Sequence, residues 1–299
     1  MNAAGLNEAS STATQPPPQP PPDQLPPGQL PSGRWHRDFL WRWLGWLGRL
    51  TRRRMRFLLT LASMAMGVAV DALRPASWRR TTRAEFRRVL RQSLGGGLTT
   101  TVLTAAIIGL GMVYQALYWL GAAGQEESIG SILVTILIRE IIPVLVGLIL
   151  LGRSGSVVLT ELGGLQANGQ IQVLQAQGID PVGALILPRG IAFATAAYTL
   201  GVIFMLVSLL TGFIVGSLVG AVRMSLWSFL DNVLTAMHPA DFAIFPIKLV
   251  VIGLLVAMTA CLTALDAEPH LDANRLMPRG FVRGLLSIML VSGVLSLAS

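Results

Sequence analysis

Long apolar runs with few charges fill the chain from residue 98 onward. Each approaches or exceeds the roughly 20 residues that an α-helix needs to cross a bilayer. Five of them predict membrane spans. The first covers about Leu98–Leu120 and ends in Tyr118 and Trp119. The second, about Ile129–Leu151, is broken only by Arg139, Glu140 and Pro143. The third starts near Ile191 and stays apolar to Val222, longer than one crossing requires. The fourth is Ile247–Leu265, and the fifth is the short, terminal Phe281–Leu297. A further apolar run, Phe57–Val70, holds only 14 residues. Arg52–Arg54 precede it, and Arg74, Arg79, Arg80 and Arg83 follow it. Basic flanks stay on the cytoplasmic side of a membrane. A crossing here would carry one cluster across, so the expectation is a helix that lies in the interface or dips in and returns.

The predicted fold class is therefore an all-α integral membrane protein, with a basic N-terminal interfacial helix and about five transmembrane helices. Composition agrees: 53% of residues are hydrophobic and 13% charged, against about 25% charged in soluble domains. Three regions follow. Residues 1–33 are rich in Pro, Gln and Ser and hold too little apolar surface to offset ordering, so they read as a disordered tail. Residues 34–93 form the basic interfacial region, and residues 94–299 the transmembrane domain.

The net charge of +8 is local: 15 of the 23 Lys and Arg lie in residues 34–91, all of them Arg. They interleave with Trp35, Trp41, Trp43 and Trp46, a pairing suited to headgroups. Beside membrane spans this pattern points to a cytoplasmic face against anionic lipid rather than to nucleic acid. With the N-terminus cytoplasmic, five spans put the C-terminus outside. The acidic Gly121–Ser128, with Glu126 and Glu127, then reads as external, as does Ala221–Phe245 with Arg223 alone. Gly152–Arg189 and Asp266–Arg283 read as internal. The single Cys261 has no disulfide partner in the chain, and the three histidines show no metal-ligand spacing.

Three features invite a function. Arg139 and Glu140 fall inside the second span, where a charge costs about 2.5–3.5 kcal/mol on insertion scales. They read either as lining a polar cavity or as packing ion pairs. Pro143 is placed to free a backbone carbonyl in the preceding turn. Gly212, Gly216 and Gly220 form two Gly-x-x-x-Gly steps, which let helices approach closely inside the chain or between chains. In Gly152–Arg189, Leu162, Leu165, Ile171 and Leu174 recur at roughly helical spacing. Asp180 and Pro181 look like the cap and first position of the next helix. On spacing alone, this segment is equally a handle for a soluble motor or a connecting helix on the membrane surface.

The run from Ile138 to Arg189 resembles the MlaE (YrbE-like) family of ABC permeases. It carries Arg139-Glu140-Ile141-Ile142-Pro143-Val144, then Gly152-Arg153-Ser154-Gly155-Ser156, Glu161-Leu162-Gly163 and Gln170-Ile171. Gly178-Ile179-Asp180-Pro181 and Pro188-Arg189 complete it. The family's Leu-Gly after Arg-Glu is Ile141-Ile142 here. Its Thr-Glu-Gln is Asn168-Gly169-Gln170, so an acid of the coupling helix is absent.

The resemblance implies a permease subunit that dimerises, as homo- or heterodimer, in the bacterial inner membrane. It implies a cytoplasmic ABC ATPase and an MCE-domain protein as partners, and phospholipid or other lipid as cargo. No P-loop G-x-x-x-x-G-K-S/T occurs in this chain, so it reads as no enzyme and as needing no cofactor itself; Mg-ATP belongs to the partner. The resemblance assigns Glu161, Leu162, Gly163, Gln170, Ile171, Leu174, Gly178, Asp180 and Pro181 to ATPase coupling. Arg139, Glu140 and Pro143 go to the lipid route, and Gly152, Arg153, Gly155, Ser156, Pro188 and Arg189 to the cytoplasmic boundary. Two other classes compete: a non-transporting scaffold, and an ion-coupled secondary transporter. The second has only Arg139, Glu140 and Lys248 near span interiors and no visible inverted repeat.

Overall fold

The computed structural model describes residues 55–74, 78–125, 128–220, 225–266 and 273–297. The N-terminal tail, the Trp- and Arg-rich stretch up to Arg54, and Glu126, Glu127 and Arg223 of the predicted external loops lie outside them. The chain divides into units 1–55 and 56–299, and all but Met55 of the first lies outside the described residues.

The second unit is helical, with no strand among the described residues. We number its helices α1 (Met55–Ala72), α2 (Arg80–Ala122), α3 (Ser128–Ala167), α4 (Gln170–Ala176), α5 (Val182–Leu218), α6 (Leu226–Ala236), α7 (Asp241–Leu265) and α8 (Ala273–Leu297). Six of them are long and apolar enough to cross a membrane: α1, α2, α3, α5, α7 and, over Met277–Leu297, α8. The protein is a multi-pass membrane protein.

The helices outrun the hydropathy boundaries. α2 begins at Arg80 rather than Leu98, because its first turns are amphipathic: Thr82, Val89 and Ser93 are buried while the arginines face out. α3 continues past Leu151 to Ala167, and α5 begins at Val182, so Arg189 stands inside a helix rather than in a connection. The predicted external loop 221–245 contains the short helix α6, capped by Ser225, whose hydroxyl accepts from the Ser228 N–H at 3.2 Å. α1 runs for 18 residues, not 14. Leu61 and Val68 are buried, and Phe57, Met64 and Ala65 pack against the core on the same face. The α1 face bridges two helices: Val68 lies against Gly190 of α5, and the Arg283 guanidinium of α8 sits 4.7 Å over the Phe57 ring.

α5 is the centre of the bundle, packed on α2 along one side and α7 along the other; α7 also meets α3 and α8. Small residues bring these axes together. Gly253 of α7 faces the Phe193 carbonyl and the Ala197 methyl of α5, where an added Cβ would sit 2.5 and 2.6 Å away. Gly212 of α5 faces Val113 of α2, so the first Gly-x-x-x-Gly step serves packing within the chain. Gly220 ends α5 with φ +76, a left-handed conformation that favours glycine.

Candidate functional site

Two networks of charged side chains tie these helices together, one at each end of the stretch from Arg139 to Arg189. The first is built around a π-helical turn of α3, Leu133–Ile141, which ends just before Pro143. Adjacent residues on a helix point apart, and Arg139 and Glu140 reach different partners. Arg139 embraces Asp241, the first residue of α7: Nη2 donates to Oδ2 at 2.8 Å, and Nε lies 2.8 Å from Oδ1. Asp241 also accepts from the His238 backbone N–H at 2.9 Å, and its position in the first turn suits the positive end of the helix dipole.

Glu140 meets Lys248, whose Nζ lies 3.4 Å from Oε1, and the same oxygen accepts from the Ser296 hydroxyl of α8. Lys248 is almost wholly buried, with 3% of its side chain exposed. It also donates to Ser296 Oγ and to the Arg139 carbonyl, each at 2.7 Å. That carbonyl is the one an α-helix would satisfy from residue 143, and Pro143 has no N–H. A lysine from another helix thus donates to the carbonyl four residues before Pro143. The network joins α3, α7 and α8, and two bases face two acids, which removes most of the cost of placing charge among apolar helices. A small recess between α3 and α7, lined by Ile138, Arg139, Asp241, Ile244, Phe245 and Lys248, opens beside it. Glu140 stays 45% exposed.

The second network closes around Arg189 of α5, 3% exposed. Its Nη2 lies 3.1 Å from Glu85 Oε1 of α2 and 3.3 Å from Glu161 Oε2 of α3, while Nη1 donates to the Leu185 carbonyl at 2.9 Å. Arg88 bridges the same two acids from outside, 3.5 Å from Glu85 and 3.2 Å from Glu161. α2, α3 and α5 are thus clamped at one level. Glu161 is committed inside the chain, and Arg153 packs against α2 at Gly96.

Beyond this clamp the chain forms a hairpin tip. α3 ends at Ala167, Gly169 turns the backbone at φ +69, and α4 runs for seven residues before Gly178 turns again at φ +74. The predicted single amphipathic helix is therefore split. Leu162 and Leu165 belong to α3, Ile171 and Leu174 to α4, because Gly169 takes a conformation that breaks helical continuity. Leu162 and Ile171 are buried and hold the tip together; Gln170, Gln172, Val173 and Ile179 are exposed. No charged residue occurs between Glu161 and Asp180.

Asp180 caps the start of α5, accepting from the Val182 and Gly183 N–H groups at 3.1 and 3.0 Å. Asp180→Ala should cost about 1 kcal/mol and speed hydrogen exchange at these two amides about fivefold. Other sequence candidates have local contacts. Ser156 hydrogen-bonds back to the Gly152 and Arg153 carbonyls. Gly155, Pro143 and Pro188 are buried, and Gly163 is half-buried.

Sequence reasoning missed Asp241, Glu85 and Arg88. It met Lys248 only in passing and gave it no partner. Asp241 fell in a stretch read as loop, and neither acid on α2 or α7 carries a motif. The signal that was available was charge balance: a buried base on one span requires an acid on another.

The family model described as Permease MlaE matches residues 86–298. Over 184 residues the chain is 28% identical to the Arabidopsis thaliana protein TRIGALACTOSYLDIACYLGLYCEROL 1, chloroplastic, covering 62% of this chain and 51% of that one. Over 176 residues it is 27% identical to a probable ABC transporter permease protein of Rickettsia prowazekii, covering 58% and 67%. Over 136 residues it is 29% identical to the intermembrane phospholipid transport system permease protein MlaE of Haemophilus influenzae, covering 45% and 52%. The chain thus spans about half the length of the first and third of these relatives.

Proposed function

The chain belongs to the MlaE permease family, and from that premise we propose that it is the permease subunit of an ABC transporter that moves phospholipid or a related lipid between membranes. It works as one half of a permease dimer in a bacterial cytoplasmic membrane, with its N-terminus inside and its C-terminus outside. A separate ATPase binds Mg-ATP, and an MCE-domain protein carries lipid on the far side. The relatives named for phospholipid transport and for ABC permeases support this reading.

The observation that carries the coupling claim is continuity. α3 and α5 run unbroken from the membrane bundle into the hairpin tip, 40 and 37 residues long. A helix rises about 1.5 Å per residue, so α3 is a rod of about 60 Å. A motor that grips the tip moves two membrane helices directly, and the Arg189 clamp carries α2 with them. The exposed tip residues Gln170, Val173 and Ile179 make the contact, while Glu161 transmits it. Arg139, Glu140 and Lys248 brace the route at the other end.

The test is copurification with the cognate ATPase. Val173→Asp puts a charge on the neutral tip and should weaken association at least tenfold. Glu161→Gln should leave it unchanged. Val173→Asp that still binds the ATPase at full strength removes the tip from the interface. Lipid flux between vesicles that continues without ATP favours the secondary-transporter reading instead.

A further inference from the structure

α2 carries a feature that lipid transport does not use. Arg80, Arg83, Arg87 and Arg91 are all exposed on its first turns. Arg80, Arg87, Arg91 and Leu98 follow one another at intervals of seven, four and seven residues. Seven residues bring a helix back to within about 20° of its start, so these four lie along one line of the helix surface. The opposite face, with Thr82, Val89 and Ser93, is buried.

The acids nearby are already engaged. Glu85 and Glu161 are held by Arg88 and Arg189, and Asp71 by Arg74. No ion pair to Arg80, Arg83, Arg87 or Arg91 occurs among the described residues. Like charges four residues apart destabilise a helix, so the stripe as it stands repels itself and calls for anions.

The same line of the surface identifies the anion. It continues into Leu98 and Val102, both exposed, on the apolar part of the same helix. Arg91 stands about 10 Å along the axis from Leu98, and its side chain leans towards the helix N-terminus, away from the apolar part. The stripe therefore ends about two turns short of the leucine row, where a headgroup layer would meet it if Leu98 enters the hydrocarbon. A soluble acidic protein has no reason to share a face with a membrane-embedded leucine row, and a second copy of this chain would bring arginine against arginine.

We infer that the first turns of α2 form a selective binding stripe for the phosphates of anionic lipid headgroups. Arg87 and Arg91 engage the lipid phosphates nearest the hydrocarbon edge, with Arg80 and Arg83 farther out. Guanidinium forks suit phosphate oxygens. The stripe depends on α2 spanning a membrane, not on what the protein transports.

The experiment uses the full chain in phosphatidylcholine vesicles with spin-labelled phosphatidylglycerol or phosphatidylcholine, reading the motionally restricted fraction by electron paramagnetic resonance. The intact chain should favour phosphatidylglycerol several-fold at low salt. The preference should fall towards one near about 1 M salt, where the screening length is about 3 Å. Arg80→Gln, Arg83→Gln, Arg87→Gln and Arg91→Gln together should bring it near one at any salt, and the four Lys replacements should keep most of it. If the fourfold Gln variant does not fold, Arg87→Gln with Arg91→Gln should lose at least half of the preference. Selectivity absent from the intact chain, or unchanged in the Gln variants, overturns the proposal. So does a Gln variant that keeps its lipid selectivity but loses the ATPase, because the stripe is then a protein contact.

Discussion

Replacing Lys248 by Met should destabilise the purified chain by about 2–4 kcal/mol. The lysine makes three contacts from one nitrogen: the Glu140 carboxylate, the Ser296 hydroxyl and the Arg139 carbonyl. Methionine fills much the same volume, so packing changes little. What is lost is polar. The Arg139 carbonyl cannot turn to residue 143 instead, because Pro143 offers no N–H. A buried acceptor left without a partner costs about 1–3 kcal/mol. Glu140 loses its counter-charge as well, and breaking a buried ion pair typically costs about 3–5 kcal/mol. That figure is discounted here because 45% of the Glu140 side chain is exposed.

The double variant Lys248→Met, Glu140→Gln should recover part of the loss. Its carboxylate is gone, and the amide can still accept from Ser296. Denaturant or SDS unfolding in mild detergent reads both values. A single variant within 0.5 kcal/mol of the parent would show that the network is no structural brace. A double variant less stable than the single would show that Glu140 does not depend on Lys248.

These two residues also mark where sequence reading stopped. Arg139 and Glu140 stood out because a charge inside an apolar run is costly, and Pro143 announced its orphaned carbonyl. Asp241 and Lys248 complete the same network from α7, yet a lone lysine in an apolar run gives no address. Distance along the chain is the physical reason: the partners lie 102 and 108 residues away, and only packing brings them together. The apolar cores of the spans were legible from hydropathy. Their ends were not, because the helices continue as amphipathic rods. The first turns of α2 and the last of α3 are polar on one face, so an average over all residues hides them. The Asp180–Pro181 cap was legible because its hydrogen bonds are local. Glu161 was read as a contact for a partner. Its carboxylate also meets Arg88 and Arg189, an arrangement set by the approach of α2 and α5, which no local pattern encodes.

That clamp yields the second large effect. Arg189→Met should cost about 2–3 kcal/mol and lower ATP-driven lipid flux at least tenfold, while the ATPase still copurifies. Arg189 bridges Glu85 and Glu161 from the buried side. Without it, two carboxylates face each other across an apolar side chain. Arg88 alone holds them, from a position 61% exposed, where an ion pair is worth little. The full cost of a broken buried pair, about 3–5 kcal/mol, is reduced because both acids are partly exposed, with 21% and 30% of their side chains accessible. The hairpin tip lies beyond the clamp, with Leu162 and Ile171 buried, so under the proposed coupling the motor should still find its contact. Its stroke should then reach α2 without the ion pairs that tie it to α3 and α5 at this level.

The triple variant Arg189→Met, Glu85→Gln, Glu161→Gln separates stability from coupling. It removes the unpaired charges and should return most of the lost stability, since a buried ionic group can often be replaced by neutral ones at little cost. Flux should stay low, because no ion pair then joins α2 to α3 and α5 at the level of the clamp. Flux that returned together with stability would make the clamp a matter of packing alone. Loss of the ATPase from the single variant would place the clamp, rather than the tip, in the motor's grip.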